Sequence, residues 1–101
     1  MFVITADQRH SRSSADAVAQ TLQRINAERV DDLALPAERT AGDEAQMLLN
    51  SAHATLDIAL ELTRTEQWSV GIGIGAVPTP LGSNVRATSG PAFLAARDAI
   101  D

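Results

Sequence analysis

The sequence predicts an α+β domain, an antiparallel sheet with helices packed on one face, and three observations predict it. The chain opens on "MFVIT", a compact apolar run rich in β-branched residues that reads as a buried strand over 2–6. Near the other end, "WSVGIGIGAV" alternates strictly. Trp68, Val70, Ile72, Ile74 and Ala76 fall on one face and Ser69, Gly71, Gly73 and Gly75 on the other. That is period two, hence a strand over 69–77. Between these strands lie two proline-free stretches with apolar residues at helical spacing.

The elements follow in order. A polar loop, "DQRHSRSS", leaves the first strand, and a helix is predicted from about Ser13 to Glu28. Ser13 and Asp16 are spaced as a capping box, with Ala15, Val18, Ala19, Leu22 and Ile25 as the apolar face. "DDLALPAERT" is interrupted by Pro36, so a strand there belongs at a sheet edge. A second helix is predicted from Ser51 to Glu66, carrying Ala52, Leu56, Ala59, Leu60 and Leu62. "PTPLGSNVRATSG" is loop, and Pro91 opens a last helix, "PAFLAARDAID".

The stretch "ERTAGDEAQMLLN" admits two readings: a helix start with Asp43 and Glu44 as first-turn acids, or a hairpin turning at Gly42-Asp43. The flanking strands and the well-capped helix beginning only at Ser51 favour the hairpin. Met47 and Leu49 then face the core from its second strand. The resulting order, strand-helix-strand-strand-helix-strand plus a last helix, is the split βαβ arrangement of a ferredoxin-like sheet. The chain ends inside its last helix without C-terminal punctuation, so these residues are expected to be the N-terminal domain of a longer protein.

Composition narrows the chemistry. A chain of 101 residues that is 45% hydrophobic fits one domain. With no cysteine there are no disulfides, thiolate zinc sites or cysteine nucleophiles. All eight basic residues are Arg, which excludes a Schiff-base or phosphate-loop lysine. A net charge of −5 without a clustered basic face argues against direct nucleic-acid contact. No apolar run reaches the ~18 residues of a membrane span, and the start lacks a basic segment and cleavage site, so a cytoplasmic protein is expected.

Three places are candidates for chemistry. Gly71, Gly73 and Gly75 invite a nucleotide-fingerprint reading and fail it, because position 76 is Ala and prolines follow where a helix should. Close packing of a helix on the glycine face is the better reading. Asp7 stands where a buried strand ends before a polar loop and a helix start, a place suited to phosphate and a divalent cation. Gln8, Arg9, His10 and Arg12 are the candidate phosphate contacts in that loop; the alternative makes Asp7 a loop cap and the arginines solvated surface groups. If Asp43 sits at a hairpin tip beside the first strand, Asp7 and Asp43 can share one metal, for which Mg²⁺ is best suited. His53 is most simply a surface residue.

Four segments, "ITADQRHSR", "GDEAQMLL", "VGIGIGAV" and "GPAFLAARDAI", resemble in this order the SatD family, a group of bacterial cytoplasmic proteins. The resemblance spans nearly the whole chain. More distantly, the same segments are similar to class III nucleotidyl cyclases and GGDEF-type domains. Those enzymes have a ferredoxin-like core, one metal aspartate after the first strand and another in a Gly-Asp hairpin. The resemblance implies metal-binding roles for Asp7 and Asp43, and for Arg97 the role of steadying transition-state charge. The sequence departs from the cyclase pattern at Phe93, where an Asn is usual four residues before that Arg, and at Ala45, where an aromatic is usual. A purine-selecting lysine is missing as well. These departures speak against turnover. The expected function is a regulatory domain, forming a homodimer, that binds a nucleotide or other phosphate ligand with Mg²⁺. The resemblance further implies a helix-turn-helix-like DNA-binding region beyond this segment. An active nucleotidyl-transfer enzyme and a ligand-free dimerisation module are the alternatives.

Overall fold

A computed structural model describes residues 1–9, 16–88 and 90–100. The elements are β1 (Phe2–Gln8), α1 (Val18–Glu28), β2 (Leu33–Ala41), β3 (Glu44–Leu49), α2 (Ala52–Arg64), β4 (Trp68–Ile74), a short 3₁₀ turn (Val85–Ala87) and α3 (Pro91–Ile100). The four strands form one sheet in the order β2-β3-β1-β4, and every neighbouring pair is antiparallel. The hairpin reading of "GDEAQMLL" holds. Ala41 pairs with Glu44, leaving Gly42 and Asp43 as a two-residue turn.

Side-chain alternation along β1 and β3 divides the core in two. On one face Ile4, Ala6, Met47 and Leu49 pack with Trp68 of β4, with Val18 and Ile25 of α1, and with Ile58 and Leu62 of α2. On the other, Val3 and Leu48 pack with Val85 and with Ala92, Phe93 and Ala96 of α3. The expectation of helices on one face therefore holds for α1 and α2 and fails for α3, which covers the opposite face. The glycines of β4 are the physical reason. A Cβ on Gly73 would lie 1.9 Å from the Ala92 carbonyl oxygen, and one on Gly71 would lie 2.2 Å from that of Ala96. The α3 backbone rests directly on the strand, as the close-packing reading of the glycine stripe required.

Helix faces depart from expectation in detail. In α2 the inward stripe is Ala54, Thr55, Ile58, Ala59 and Leu62, whereas Leu56 and Leu60 are exposed at 54% and 47%. Spacings of three and four from Thr55 to Leu62 define the buried stripe, and Leu56 and Leu60 lie off it. Ser51 caps this helix, its hydroxyl accepting from the Ala54 N–H at 3.1 Å. In α1, Val18 and Ile25 are buried but Ala19 is exposed. The helix begins at Val18 rather than near Ser13, which lies outside the described residues. Asp16 still serves its start: Oδ1 accepts from the Val18 N–H at 2.9 Å.

β2 is an edge strand, as Pro36 requires, and its register against β3 shifts on both sides of that residue. The Asn26 side chain of α1 steadies it there, donating to the Ala37 carbonyl at 3.0 Å and accepting from the Ala37 N–H at 2.7 Å. No helix among the described residues is long and apolar enough to cross a membrane.

Candidate functional site

The sheet brings the end of β1 against the tip of the β2–β3 hairpin. Asp7 pairs with Glu44 in register, and the Gln8 N–H donates to the Asp43 carbonyl at 2.8 Å. Asp7 and Asp43, far apart in sequence, are thus neighbours at one rim of the sheet. Asp7 stands on the same face of β1 as Thr5, with its Oδ1 buried. Asp43 is half-buried and lines a pocket of about 320 Å³ with Gln8, Asp16 and Gly42.

The rim is held by side chains as well as by the sheet. Gln8 is buried and its Oε1 accepts from the Ala17 N–H at 3.1 Å, tying β1 to the start of α1. Arg39 of β2 grips Asp16 through Nη2, at 3.1 Å to Oδ1 and 2.8 Å to Oδ2, while Nη1 donates to the Gly42 carbonyl. That hydrogen-bonded guanidinium, with the Val18 N–H second, holds the Asp16 carboxyl below its ordinary range. Asp16 is therefore a pinned anion, and the pocket's remaining carboxylate is Asp43.

Of the candidate phosphate contacts, Gln8 lines this pocket. Arg9 is exposed beyond the strand end, its N–H donating to the Gln67 carbonyl at 2.6 Å. His10 and Arg12 lie outside the described residues. Among the described residues no three His, Asp or Glu side chains gather closely enough to hold a metal ion on their own. Mg²⁺ needs only one or two carboxylates, completing its shell with water and phosphate, so Asp7 and Asp43 suit its donor chemistry. His53, at 88% side-chain exposure, is the expected surface residue, 3.3 Å from Asp57 one turn on.

Arg97 is not brought to this pocket. It lies on the α3 face, where Nη2 donates to Glu44 Oε1 at 2.8 Å. The same oxygen accepts from the Thr40 hydroxyl at 2.7 Å, and the Glu44 residue is only 8% exposed. Beside this pair opens a second pocket of about 530 Å³, between β2–β3, the 3₁₀ turn and α3, lined among others by Thr40, Gln46, Arg86, Phe93, Leu94 and Arg97. Phe93, at the position where cyclases carry Asn, is buried in the α3-side core. Sequence reasoning passed over Glu44, Gln46 and Arg86. Alternation along β3 carries a usable signal for the first two: Glu44, Gln46 and Leu48 share a face, and two polar residues on an otherwise buried strand need partners.

Comparison with known proteins places the chain by sequence. Neither a search of curated proteins nor a search of solved structures returned a match. The SatD family matches residues 2–101, all but the first residue, a span that contains the four segments quoted above. The chain belongs to the SatD family.

Proposed function

We propose that this domain binds a nucleotide or other phosphate ligand together with Mg²⁺ at the rim formed by Asp7, Gln8, Arg9 and Asp43, with His10 and Arg12 as further candidate phosphate contacts, and does so without turnover. The observation that carries the reading is the hydrogen bond from the Gln8 N–H to the Asp43 carbonyl. It joins the end of β1 to the hairpin tip, so the backbones of the two aspartates meet at one rim of the sheet, with Asp43 beside the start of α1, where the partial positive charge favours an anion. When bound, Mg²⁺ would supply charge neutralisation for the phosphates. Asp7 and Asp43 would hold it, Gln8 would keep the rim in place, and Arg9 would add charge to the phosphate. Asp16, already neutralised by Arg39, keeps the hairpin against α1.

The finer fold reading belongs to the same proposal. We read β1 to β4 with α1 and α2 as a ferredoxin-like, cyclase-like core, and α3 as a helix laid on its other face. Absence of turnover is supported by the place of Arg97, engaged by Glu44 and lining the other pocket, and by Phe93 and Ala45. In this reading the domain regulates a DNA-binding region elsewhere in a longer protein. The second reading, a ligand-free dimerisation module, draws on β4. This edge strand carries no charge or proline over Trp68–Ile74, and it exposes Ile74 at 69%.

A thermal-shift panel of nucleoside mono-, di- and triphosphates with Mg²⁺ separates the two. Ligand binding predicts a rise in Tm that Asp7→Asn or Asp43→Asn abolishes. A dimer that dissociates on dilution, with no shift across the panel, would sink the ligand reading in favour of the module.

A further inference from the structure

The larger pocket, on the α3 face, shares no lining residue with the rim around Asp43. Its volume of about 530 Å³ lies within the range of small-molecule sites, roughly 300–1,000 Å³. Its walls are of two kinds. Val85, Phe93 and Leu94 supply an apolar side, and Leu94 is 67% exposed. The polar lining is two arginine side chains, Arg86 and Arg97, with Thr40 and Gln46.

The ion pairs at the pocket narrow the ligand. Arg97 and Glu44 form an ion pair, so their charges cancel, and Thr40 satisfies the same carboxylate oxygen. Glu44 also fixes where Arg97 points: one nitrogen is engaged, while the side chain as a whole stays 54% exposed toward the pocket. Arg86 is exposed, and among the described residues it has no acidic partner within 4.0 Å. Arg86 is thus the pocket's arginine without an ion-pair partner, while Glu38, in register with Gln46 on β2, is a further carboxylate on that face. Gln46 donates its amide to Thr5 Oγ1 at 3.1 Å, which leaves its carbonyl oxygen as a hydrogen-bond acceptor. An exposed guanidinium without an ion-pair partner beside apolar side chains suits an apolar body bearing a negative group.

We propose that this pocket binds a small organic carboxylate with an aromatic or aliphatic body. Its carboxylate is taken by Arg86 and by the free edge of Arg97, and its body lies against Phe93 and Leu94. Planar guanidinium groups match a carboxylate's two oxygens, which a lone ammonium cannot do. The site is independent of the Mg²⁺-phosphate reading and stands if that reading fails.

The test is an amide NMR titration of the whole chain with benzoate, using benzamide as the uncharged isostere and the Arg86→Gln variant as the control. Arg86 is exposed and unpaired with any described acid, so Arg86→Gln is expected to leave the rest of the spectrum in place. Benzoate should shift resonances of Thr40, Gln46 and residues 85–97, with those of Gln8 and Asp43 unmoved. Benzamide should bind at least about tenfold more weakly, and Arg86→Gln should weaken benzoate by about tenfold or more. The proposal is overturned if benzoate leaves these resonances unmoved, if benzamide binds equally well, or if Arg86→Gln binds benzoate as the parent does. Small shifts spread over all eight arginines would mark nonspecific anion association and would equally overturn it.

Discussion

The two faces of this sheet are covered by different means. Toward α1 and α2 the strands present large apolar side chains, Ile4, Met47, Leu49 and Trp68, and the helices stand off on them. Toward α3 the contact is backbone to backbone at Gly71 and Gly73, and polar residues, Thr5, Glu44 and Gln46, stand beside it. The first face is a filled core whose function is stability. The second leaves a helix in close contact along β1–β4 and an open pocket over β2–β3. Among the described residues, the two pockets with charged or polar lining discussed above open on that second face and at the rim where β1 meets the hairpin.

The largest expected effect breaks the close-packed face. Gly73→Val puts side-chain atoms where the Ala92 carbonyl oxygen and the Ala96 nitrogen, 1.9 and 2.5 Å from an added Cβ, already stand. Neither is a flexible tip that can turn aside. We expect a loss of more than about 4 kcal/mol in the α3 contact. Hydrogen exchange should lose protection over residues 91–100 while α1 and α2 keep theirs. Uniform loss of protection through all three helices would show that the two faces do not open separately.

Met47→Ala probes the other face. Met47 is fully buried between β3 and the α1–α2 layer, and its truncation leaves a cavity costing about 3 kcal/mol. Chemical denaturation should show a lower midpoint with unchanged cooperativity. Carboxylate shifts in the α3 pocket should persist under native conditions.

The smallest effect concerns the rim. The folded value of Asp16 lies below its ordinary 3.8, so its bond to Arg39 contributes above that pH and is lost as the pH falls through the folded value. Both groups are exposed, and the contribution is correspondingly small. Comparing Tm against pH for the parent and Arg39→Met should show a gap at neutral pH that closes in acid below 3.8. A gap independent of pH would assign Arg39 a packing role instead.

Local patterns made much of this legible. Alternation in "WSVGIGIGAV", Pro36 in "DDLALPAERT" and the Gly42-Asp43 turn fixed the strands and the hairpin, because each depends on nearby residues alone. The side taken by α3 does not. It follows from a match between distant small residues: Gly71 and Gly73 are about 6.6 Å apart along a strand, and Ala92 and Ala96 about 6.0 Å along a helix. The glycine stripe marks a helix-packing face by itself; that α3 is the helix follows only from this match with Ala92 and Ala96. Leu56 and Leu60 misled because a helix's apolar residues reveal its buried stripe only once its packing partners are known. Asp7 and Asp43 were legible as rim residues through the strand end and the turn. Arg86 sits in a loop without periodicity, and nothing in its neighbours marks it as lining a pocket.

The proposed rim site holds its cation between Asp7 and Asp43. Substoichiometric Mn²⁺, used in place of Mg²⁺ for its paramagnetism, reads this directly in the amide spectrum of the chain. We expect selective broadening centred on Asp7, Gln8 and Asp43, reversed by excess Mg²⁺ and absent in Asp43→Asn. Broadening centred instead on surface acids such as Asp31 and Asp32, or unchanged in Asp43→Asn, would contradict it.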